Sequence, residues 1–347
     1  MKQKLYYKKK RIKAKFIDPS GRPVEKIIEN RTNPVTLRSC RITYSRVDEK
    51  EIGTDTFPDP PPFAFETSEC PFCTPRVADM TPRLLHGSFS SERLIQGESI
   101  LFPNLFPYGS YSAVSLFDQN HFVEIGSASL VSYENSFKNS VQYLSQILRQ
   151  DAKAIYMAIT QNHLPSAGGS LLHPHLQINA DRIPGNHHRF MDKRSRQYCK
   201  ATGKLIFSDY LNDEIKAAER YIGTTGDWHW VTAFAPEGFY EIWGILPGVT
   251  SLQSLSDKQI KNLCVGVLNT QRFYRNLNRN GYNLGILSIE KEDSRLELRV
   301  VLIVRSNYAP WVRNDHTGFE VMVGDMATFV APEQTAALAK PFWKRLS

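Results

Sequence analysis

The sequence predicts an α+β fold of antiparallel strands and packed helices, in which one module occurs twice. Two stretches have the apolar spacing of an amphipathic helix, residues 135–150 and residues 256–277. Each is followed by two apolar stretches that are typical of strands. Gly238 lies 129 residues after Gly109, and the segments around the two glycines are loosely alike. A repeat of this length indicates a duplicated module.

Strands are expected where apolar and β-branched residues alternate with polar ones or form short runs. They are predicted at residues 39–44, 100–102, 112–116, 155–160, 171–180, 282–287 and 296–303. Residues 189–203 are charged and are expected to form a loop, whereas residues 205–221 contain a helical stretch. The chain then divides into a basic N-terminal arm (1–30), an N-terminal domain that carries the chemical motifs (31–195), and a C-terminal domain without paired histidines (196–347).

Composition and cysteine content exclude several classes of protein. The 347 residues are 41% hydrophobic and 22% charged, as in globular proteins, and no apolar run is long enough for a membrane span. The first seven residues lack the apolar core of a signal peptide, so we expect a cytoplasmic protein. Five cysteines, a small and odd number, argue against a disulfide framework.

The net charge of +8 comes from the N-terminal arm. Residues 1–15 hold eight lysines and arginines and no acid, so the rest of the chain is neutral overall. A basic arm can bind nucleic acid, but we favour a solvated tail or a contact with an acidic partner, because no RNA-binding or helix-turn-helix motif accompanies it. We therefore expect no nucleic-acid partner.

The most informative stretch carries two histidines and a glutamine at alternate positions. His173, His175 and Gln177 share one face of an extended chain, because side chains two residues apart point the same way. Gly168 and Gly169 lie just upstream and can bring backbone N–H groups close to an anion. A histidine beside such a loop suggests attack on phosphorus. The alternative is a polar strand edge whose histidines only form hydrogen bonds.

A metal site is predicted from a pair of cysteines. Cys70 and Cys73 supply two thiolates at the spacing that zinc uses, and His121 and His173 are candidate third and fourth ligands. His121 could instead be a surface histidine in a turn. A closed site of two cysteines and two histidines has no open position, so the zinc would be structural and would brace the strand that holds His175.

His175 is then the better candidate for the nucleophile. One ring nitrogen needs an acceptor that fixes the tautomer, and the carbonyl of His173 could serve. Gln177 can donate to a phosphoryl oxygen but cannot act as a general base. A nucleotidyl group on His175 would therefore survive until an acceptor other than water arrives.

Motifs along the chain resemble those of the galactose-1-phosphate uridylyltransferase family, the transferase branch of the histidine-triad superfamily. They occur in family order from about residue 30 to about residue 330. The matching pieces are Asn33-Pro34 with Arg46, Cys70-Pro71-Phe72-Cys73, Asn104 before Phe106, Asp118-Gln119-Asn120-His121, Asn162, Gly168-Gly169-Ser170, His173-Pro174-His175-Leu176-Gln177, Asp209-Tyr210 and Val321-Met322-Val323-Gly324.

The resemblance implies a duplicated histidine-triad-like fold, a homodimer, and one structural zinc held by Cys70, Cys73, His121 and His173. It implies that His175 attacks the α-phosphorus of a nucleotide sugar, so that a hexose 1-phosphate leaves and another sugar phosphate takes the nucleotidyl group. The side chains or loops that would hold the substrate are Arg46, Asn104, Asn162, Gly168, Gly169, Ser170 and Gln177.

Several positions depart from the family pattern. The second N-terminal arginine of the family falls on Glu49, and the acidic residue used at the ribose falls on Leu105. The C-terminal histidines of the family's second metal site fall near Arg299 and Val301, so no second metal is expected.

The sugar-binding segment also differs, since a lysine and a tyrosine of the family are replaced by Glu320 and Asp325. We interpret the chain as a nucleotidylyltransferase of the hexose-1-phosphate uridylyltransferase type that works through a nucleotidyl-histidine. The alternatives are a phosphorylase of nucleotide sugars or dinucleoside polyphosphates, in which inorganic phosphate is the acceptor, and a non-catalytic binding protein on the same fold.

Overall fold

The computed structural model describes residues 4–43, 56–60, 62–307 and 315–344. Within these residues fourteen strands occur: β1 Lys8–Ile17, β2 Pro23–Thr32, β3 Ser39–Thr43, β4 Leu94–Gln96, β5 Ser99–Pro103, β6 Tyr111–Leu116, β7 Tyr156–His163, β8 His175–Asp181, β9 Tyr221–Thr225, β10 Trp228–Thr232, β11 Phe239–Leu246, β12 Tyr282–Ile289, β13 Leu298–Val304 and β14 Met326–Thr328.

Seven α-helices accompany these strands in the same part of the chain: α1 Arg76–Met80, α2 Leu130–Gln150, α3 Asn186–Thr202, α4 Ile206–Ala217, α5 Asp257–Asn276, α6 Gly318–Val323 and α7 Pro332–Ala339. None of the described helices is long and apolar enough to cross a membrane.

A ten-stranded antiparallel sheet dominates the fold. Its strand order is β4-β5-β6-β8-β7-β12-β13-β11-β10-β9. Counted outward from the junction of β7 and β12, the two sides of the sheet have corresponding strands. Strand β8 corresponds to β13, β6 to β11, β5 to β10 and β4 to β9. The duplication expected from the sequence is therefore visible as two five-stranded halves joined in one sheet.

Helices α2 and α5 cover one face of this sheet and bury its main apolar core. Phe137 and Leu144 of α2 and Leu263 and Val267 of α5 are at most 1% exposed. The start of α5 is fixed by a capping box in which Ser256 and Gln259 satisfy each other's backbone N–H groups. Both helices predicted from apolar spacing are present, and α2 begins five residues before the predicted start.

Two other expectations are wrong. Residues 8–17 of the basic arm are strand β1 and pair along their whole length with β2, so they are not a solvated tail. Residues 189–203, expected to be a loop, lie almost entirely in α3. Only four residues of α3 are buried, among them Met191 and Tyr198. With so few apolar positions, the sequence of this segment lacks the periodicity from which an amphipathic helix is predicted.

A second sheet, in the order β1-β2-β3-β14, is attached to the large one by a buried ion-pair network. Arg31 of β2 is 2% exposed and donates to Glu29 at 2.7 Å and to both carboxylate oxygens of Glu333 at 2.8 and 3.0 Å. The same guanidinium lies 5.2 Å from the ring centre of Phe234, and Arg220 also reaches Glu333. This network ties β2 to α7, because Glu333 belongs to the first turn of that helix.

We predict that Arg31→Leu lowers the free energy of unfolding by about 3–5 kcal/mol, because Glu29 would stay buried without its main partner. Chemical denaturation measures the change. Arg11→Leu is the matched control, since Arg11 contacts the same carboxylate from an exposed position, and it should cost about 1 kcal/mol or less. Equal effects of the two substitutions would contradict the assignment.

Candidate functional site

The paired histidines lie on the face of the sheet opposite α2 and α5. His175 opens β8 and pairs with Leu116 of β6, and Gln177 pairs with Val114 of β6 and Thr160 of β7. The intervening residues Leu176 and Ile178 are completely buried in the main core. The alternation predicted from the sequence therefore holds for His175 and Gln177, whereas His173 lies in a bend before β8.

The His175 ring is held in one tautomer by its own strand. Its Nδ1 lies 2.8 Å from the carbonyl oxygen of His173, so Nδ1–H donates and Nε2 keeps its lone pair. Burial lowers the pKa of His175, so the ring is neutral near pH 7. The ring of Phe72 contacts it edge-on, with centroids 5.5 Å apart. An oriented, neutral imidazole of this kind can act as a nucleophile.

Four potential metal ligands meet beside this strand. The ligand atoms of Cys70, Cys73, His121 and His173 all lie within 4.8 Å of one another. The Sγ atom of Cys73 is 3.3 Å from Nδ1 of His121 and 3.6 Å from Nδ1 of His173. Two thiols and two imidazoles at these distances could hold a metal ion, as the sequence predicted.

The orientation of His173 suits a metal ligand. Its Nε2–H donates to the carbonyl of Asp118 at 2.9 Å, which leaves Nδ1 facing the two cysteines. Burial lowers the pKa of His173 to about 4, so the ring is neutral at pH 7, as metal binding requires. A carbonyl on the far ring nitrogen is the usual way in which proteins orient a ligating histidine.

A chain of polar side chains connects Gln177 to the second half of the sheet. Asn162 donates to Gln177 at 3.5 Å, and Asn283 of β12 donates to Asn162 at 2.6 Å. Arg305 then donates to Asn283 at 2.7 Å and is clamped by Asp315, whose nearest oxygen is 2.7 Å from its Nη2. The contact with Asn283 thus orients the amide of Asn162. The side-chain oxygen of Gln177 accepts from Asn162, so the NH₂ group of Gln177 stays available to a ligand.

The glycine loop does not present the amides that the sequence led us to expect. The N–H of Gly168 donates to Pro165 and that of Gly169 to Leu164, at 2.9 and 3.1 Å. Gly168 has a φ of +88°, and a Cβ on Gly169 would lie 3.0 Å from the carbonyl oxygen of Asn162. The two glycines therefore allow a tight turn packed against β7, and their N–H groups close that turn.

The other residues singled out in the sequence are dispersed or undescribed. Ser170 is exposed beside the loop. Asn104 uses its side-chain oxygen to accept from the N–H of Phe106 at 3.0 Å. Arg46 and Glu49 lie outside the described residues. Of the predicted set, the structure brings together the four candidate metal ligands, His175, Gln177 and Asn162.

Sequence reasoning missed the groups that orient the site from the second half. Asn283 donates a hydrogen bond to Asn162 across the junction of β7 and β12, and Arg305 donates to Asn283. Both residues lie more than 120 residues from Asn162 in sequence. Asn283 did carry a signal, because it is a polar residue in a mainly apolar strand. Arg305 had no comparable signal, since it follows the last residue of β13.

Comparisons with known proteins define the fold. The chain matches the crystal structure of an ADP-glucose phosphorylase from Arabidopsis thaliana with a TM-score of 0.69 at 20% identity, covering 90% of this chain and 98% of that one. It matches a structure of uridylyltransferase with a TM-score of 0.66 at 16% identity, covering 92% and 99%. The fold is that of the uridylyltransferases.

Sequence comparisons agree with this result. A galactose-1-phosphate uridylyltransferase of Haemophilus influenzae is 32% identical over 138 residues, which are 38% of each chain. A protein of Archaeoglobus fulgidus without an assigned function is 26% identical over 347 residues, covering 97% of this chain and 99% of its own. No family model matches the chain. The resemblance and the α+β fold inferred from the sequence are thus confirmed, in fold over most of the chain and in sequence over 138 residues.

Proposed function

We propose that the protein transfers a nucleotidyl group from a nucleotide sugar to a phosphate-bearing acceptor through a covalent intermediate on His175. The observation that carries this proposal is the ring orientation, because Nδ1–H is fixed on the carbonyl of His173 and Nε2 is the nucleophilic atom. A uridylyltransferase and an ADP-glucose phosphorylase, to which the chain is similar, catalyse reactions of this class.

In the first step the Nε2 lone pair attacks the α-phosphorus, and the bond from that phosphorus to the oxygen of the leaving hexose 1-phosphate breaks. The ring becomes cationic while it holds the nucleotidyl group, and the carbonyl of His173 stabilises the Nδ1–H that it keeps. In the second step an acceptor phosphate oxygen attacks the same phosphorus and restores neutral His175.

Gln177 would donate its NH₂ to a non-bridging phosphoryl oxygen, because Asn162 occupies its side-chain oxygen. A carboxamide has no proton-accepting role at pH 7, so it does not activate water against the intermediate. Asn162 and Asn283 are positioning residues in this scheme, and Arg305 anchors them. In this scheme the nucleophile belongs to the first half of the sheet, whereas Asn283 and Arg305, which help to position Asn162, belong to the second half.

The metal is proposed to be zinc. Two thiolates and two imidazoles form a donor set typical of structural zinc, and four protein ligands leave no position for a substrate. Zinc bound there would supply a fixed cross-link between the loop of Cys70 and Cys73 and the start of β8. His173 joins this site to His175, because its ring faces the cysteines while its carbonyl holds the nucleophile.

A phosphorylase is the second candidate, and the sugar segment favours it. Glu320 is used to cap α6, where it accepts from the N–H of Thr317 at 2.8 Å. Asp325 is engaged by Ser39 and by Arg41, whose Nε lies 3.1 Å away. These two residues stand where the family has a lysine and a tyrosine, and both are occupied within this chain. Inorganic phosphate as acceptor needs no contact from this segment.

We predict about one zinc per chain by elemental analysis. Cys73→Ser should lose the metal and lower the melting temperature, because one thiolate ligand and the cross-link are removed. Cys199→Ser is the control, since Cys199 is a free cysteine in α3 that is not among the four clustered ligands. Metal-free protein that melts at the same temperature as the metal-loaded form would contradict the structural role.

The intermediate itself can be trapped, because the donor step needs no acceptor. Protein incubated with UDP-glucose or ADP-glucose should gain the mass of one nucleotidyl group on the peptide that contains His175, measured by mass spectrometry. His175→Ala should lose the adduct, and His175→Gly should regain turnover with added imidazole. His86→Ala, an exposed histidine, should keep it. Turnover by His175→Ala near the native rate would exclude the covalent route.

The acceptor distinguishes the two candidate functions. Cleavage of the nucleotide sugar should be faster with a phosphate-bearing acceptor than in buffer alone, because Gln177 cannot activate water. Product analysis with glucose 1-phosphate, galactose 1-phosphate and inorganic phosphate then identifies a transferase or a phosphorylase. Equal cleavage with and without any acceptor would contradict both and indicate a hydrolase.

A further inference from the structure

A cavity of about 280 Å³ lies on the second half of the sheet, on the same face as His175. Its floor is formed by β12 and β13 through Gly285, Leu287 and Val301, and Met191 of α3 and Phe207 of α4 line its other side. The volume is at the lower end of the range for sites of small molecules. The cavity is therefore large enough for a compact organic ligand.

This cavity occupies the position that corresponds to the proposed catalytic site. The pairings place Gln177, Thr160, Gly285 and Val301 side by side on four adjacent strands. The row is flanked by Val114 and Trp243, which are separated by the same 129 residues as Gly109 and Gly238.

His175 lies two residues before Gln177, and Arg299 lies two residues before Val301 in the corresponding strand of the second half. In the two-fold relation between the halves, Arg299 therefore takes the place of His175. Three strand spacings separate Gln177 from Val301, a distance of about 14 Å. The two sites are neighbours on one surface of the sheet, but they are distinct.

Arg299 forms no close ion pair among the described residues, although burial lowers its pKa and the nearby carboxylates of Glu237 and Glu241 partly offset that effect. Its guanidinium lies 4.2 Å from a ring centre of Trp243 and 5.0 Å from that of Phe207. Its Nη1 is buried and has no hydrogen-bond partner among the described residues. A buried donor of this kind is costly unless a ligand satisfies it. The planar fork of a guanidinium matches the two oxygens of a carboxylate.

The acidic residues near the cavity are engaged elsewhere. Glu237 forms an ion pair with Arg38 at 3.1 Å. Glu241 accepts from the N–H of Gly238 at 3.0 Å and from the indole of Trp243. Glu297 accepts from the N–H groups that begin α4 and from that of Gly248. None of the three forms an ion pair with Arg299 within the described part of the chain.

We propose that this cavity binds a small carboxylate with an apolar body, held by Arg299 through its guanidinium and by the aliphatic walls. A single cation suits a monoanion, and Glu237 and Glu241, which also line the cavity, repel a phosphate dianion more strongly than a monoanion. The walls formed by Leu287, Val301 and Ile303 are apolar, and they suit the apolar body of the ligand. The proposal does not depend on nucleotidyl transfer by His175.

Calorimetric titration of the full-length protein with acetate, isovalerate and benzoate tests the proposal. At least one should bind saturably with one site per chain, and isovaleramide, which has no charge, should not. Arg299→Met should weaken the binding about tenfold or more, as expected for the loss of a charge-assisted hydrogen bond. Arg295→Met, an exposed arginine four residues away, should leave it unchanged.

A second variant keeps the test valid if Arg299→Met does not fold. Val301→Phe fills the cavity and keeps Arg299, so it should abolish binding, whereas His175→Ala should preserve it. Three results would overturn the proposal: no saturable binding of any of the three carboxylates, equal affinity in the folded variants at Arg299 or Val301, or binding of inorganic phosphate that survives His175→Ala and exceeds that of the carboxylates.

Discussion

The antiparallel pairing of β7 with β12 is the interaction on which the rest of the structure depends. Eight residue pairs, from Tyr282 with His163 to Ile289 with Tyr156, join the two halves into one sheet. The pairing sets Asn283 beside Asn162. A chain of hydrogen bonds through these two residues then connects Arg305 of the second half to Gln177 of the first. The pairing also fixes the cavity beside Arg299 at a set distance from His175. Neither half could orient its polar face in this way alone.

The sequence contained the parts of the fold that alternate or repeat strongly. The helices α2 and α5, the strand of His175 and the clustering of Cys70, Cys73, His121 and His173 could all be predicted, because apolar spacing and residue chemistry identify them locally. Strand β1 was missed because its many lysines suggested a solvated arm, although residues 11–16 alternate between polar and apolar and its pairing with β2 extends over ten residues. Propensity is a weak guide where tertiary pairing decides.

The positions of His175 and Gln177 were predictable, but the backbone around them was not. Side-chain direction follows from alternation along a strand, so these two residues could be placed on one face from their spacing alone, whereas His173 lies in a bend before β8. The use of the Gly168 and Gly169 amides could not be foreseen, because the loop closes on its own carbonyls. The contacts of Arg305 and Asp315 depend on segments that meet only after the halves have joined.

The duplicated sheet limits how its two halves can move. A ladder of eight pairs joins them, so they cannot separate about a hinge while this ladder is intact. If the two-step transfer proposed above takes place over β8, the leaving group and the acceptor must exchange while the two halves stay fixed relative to each other. Any movement that admits them would then belong to the loops at the edge of the sheet.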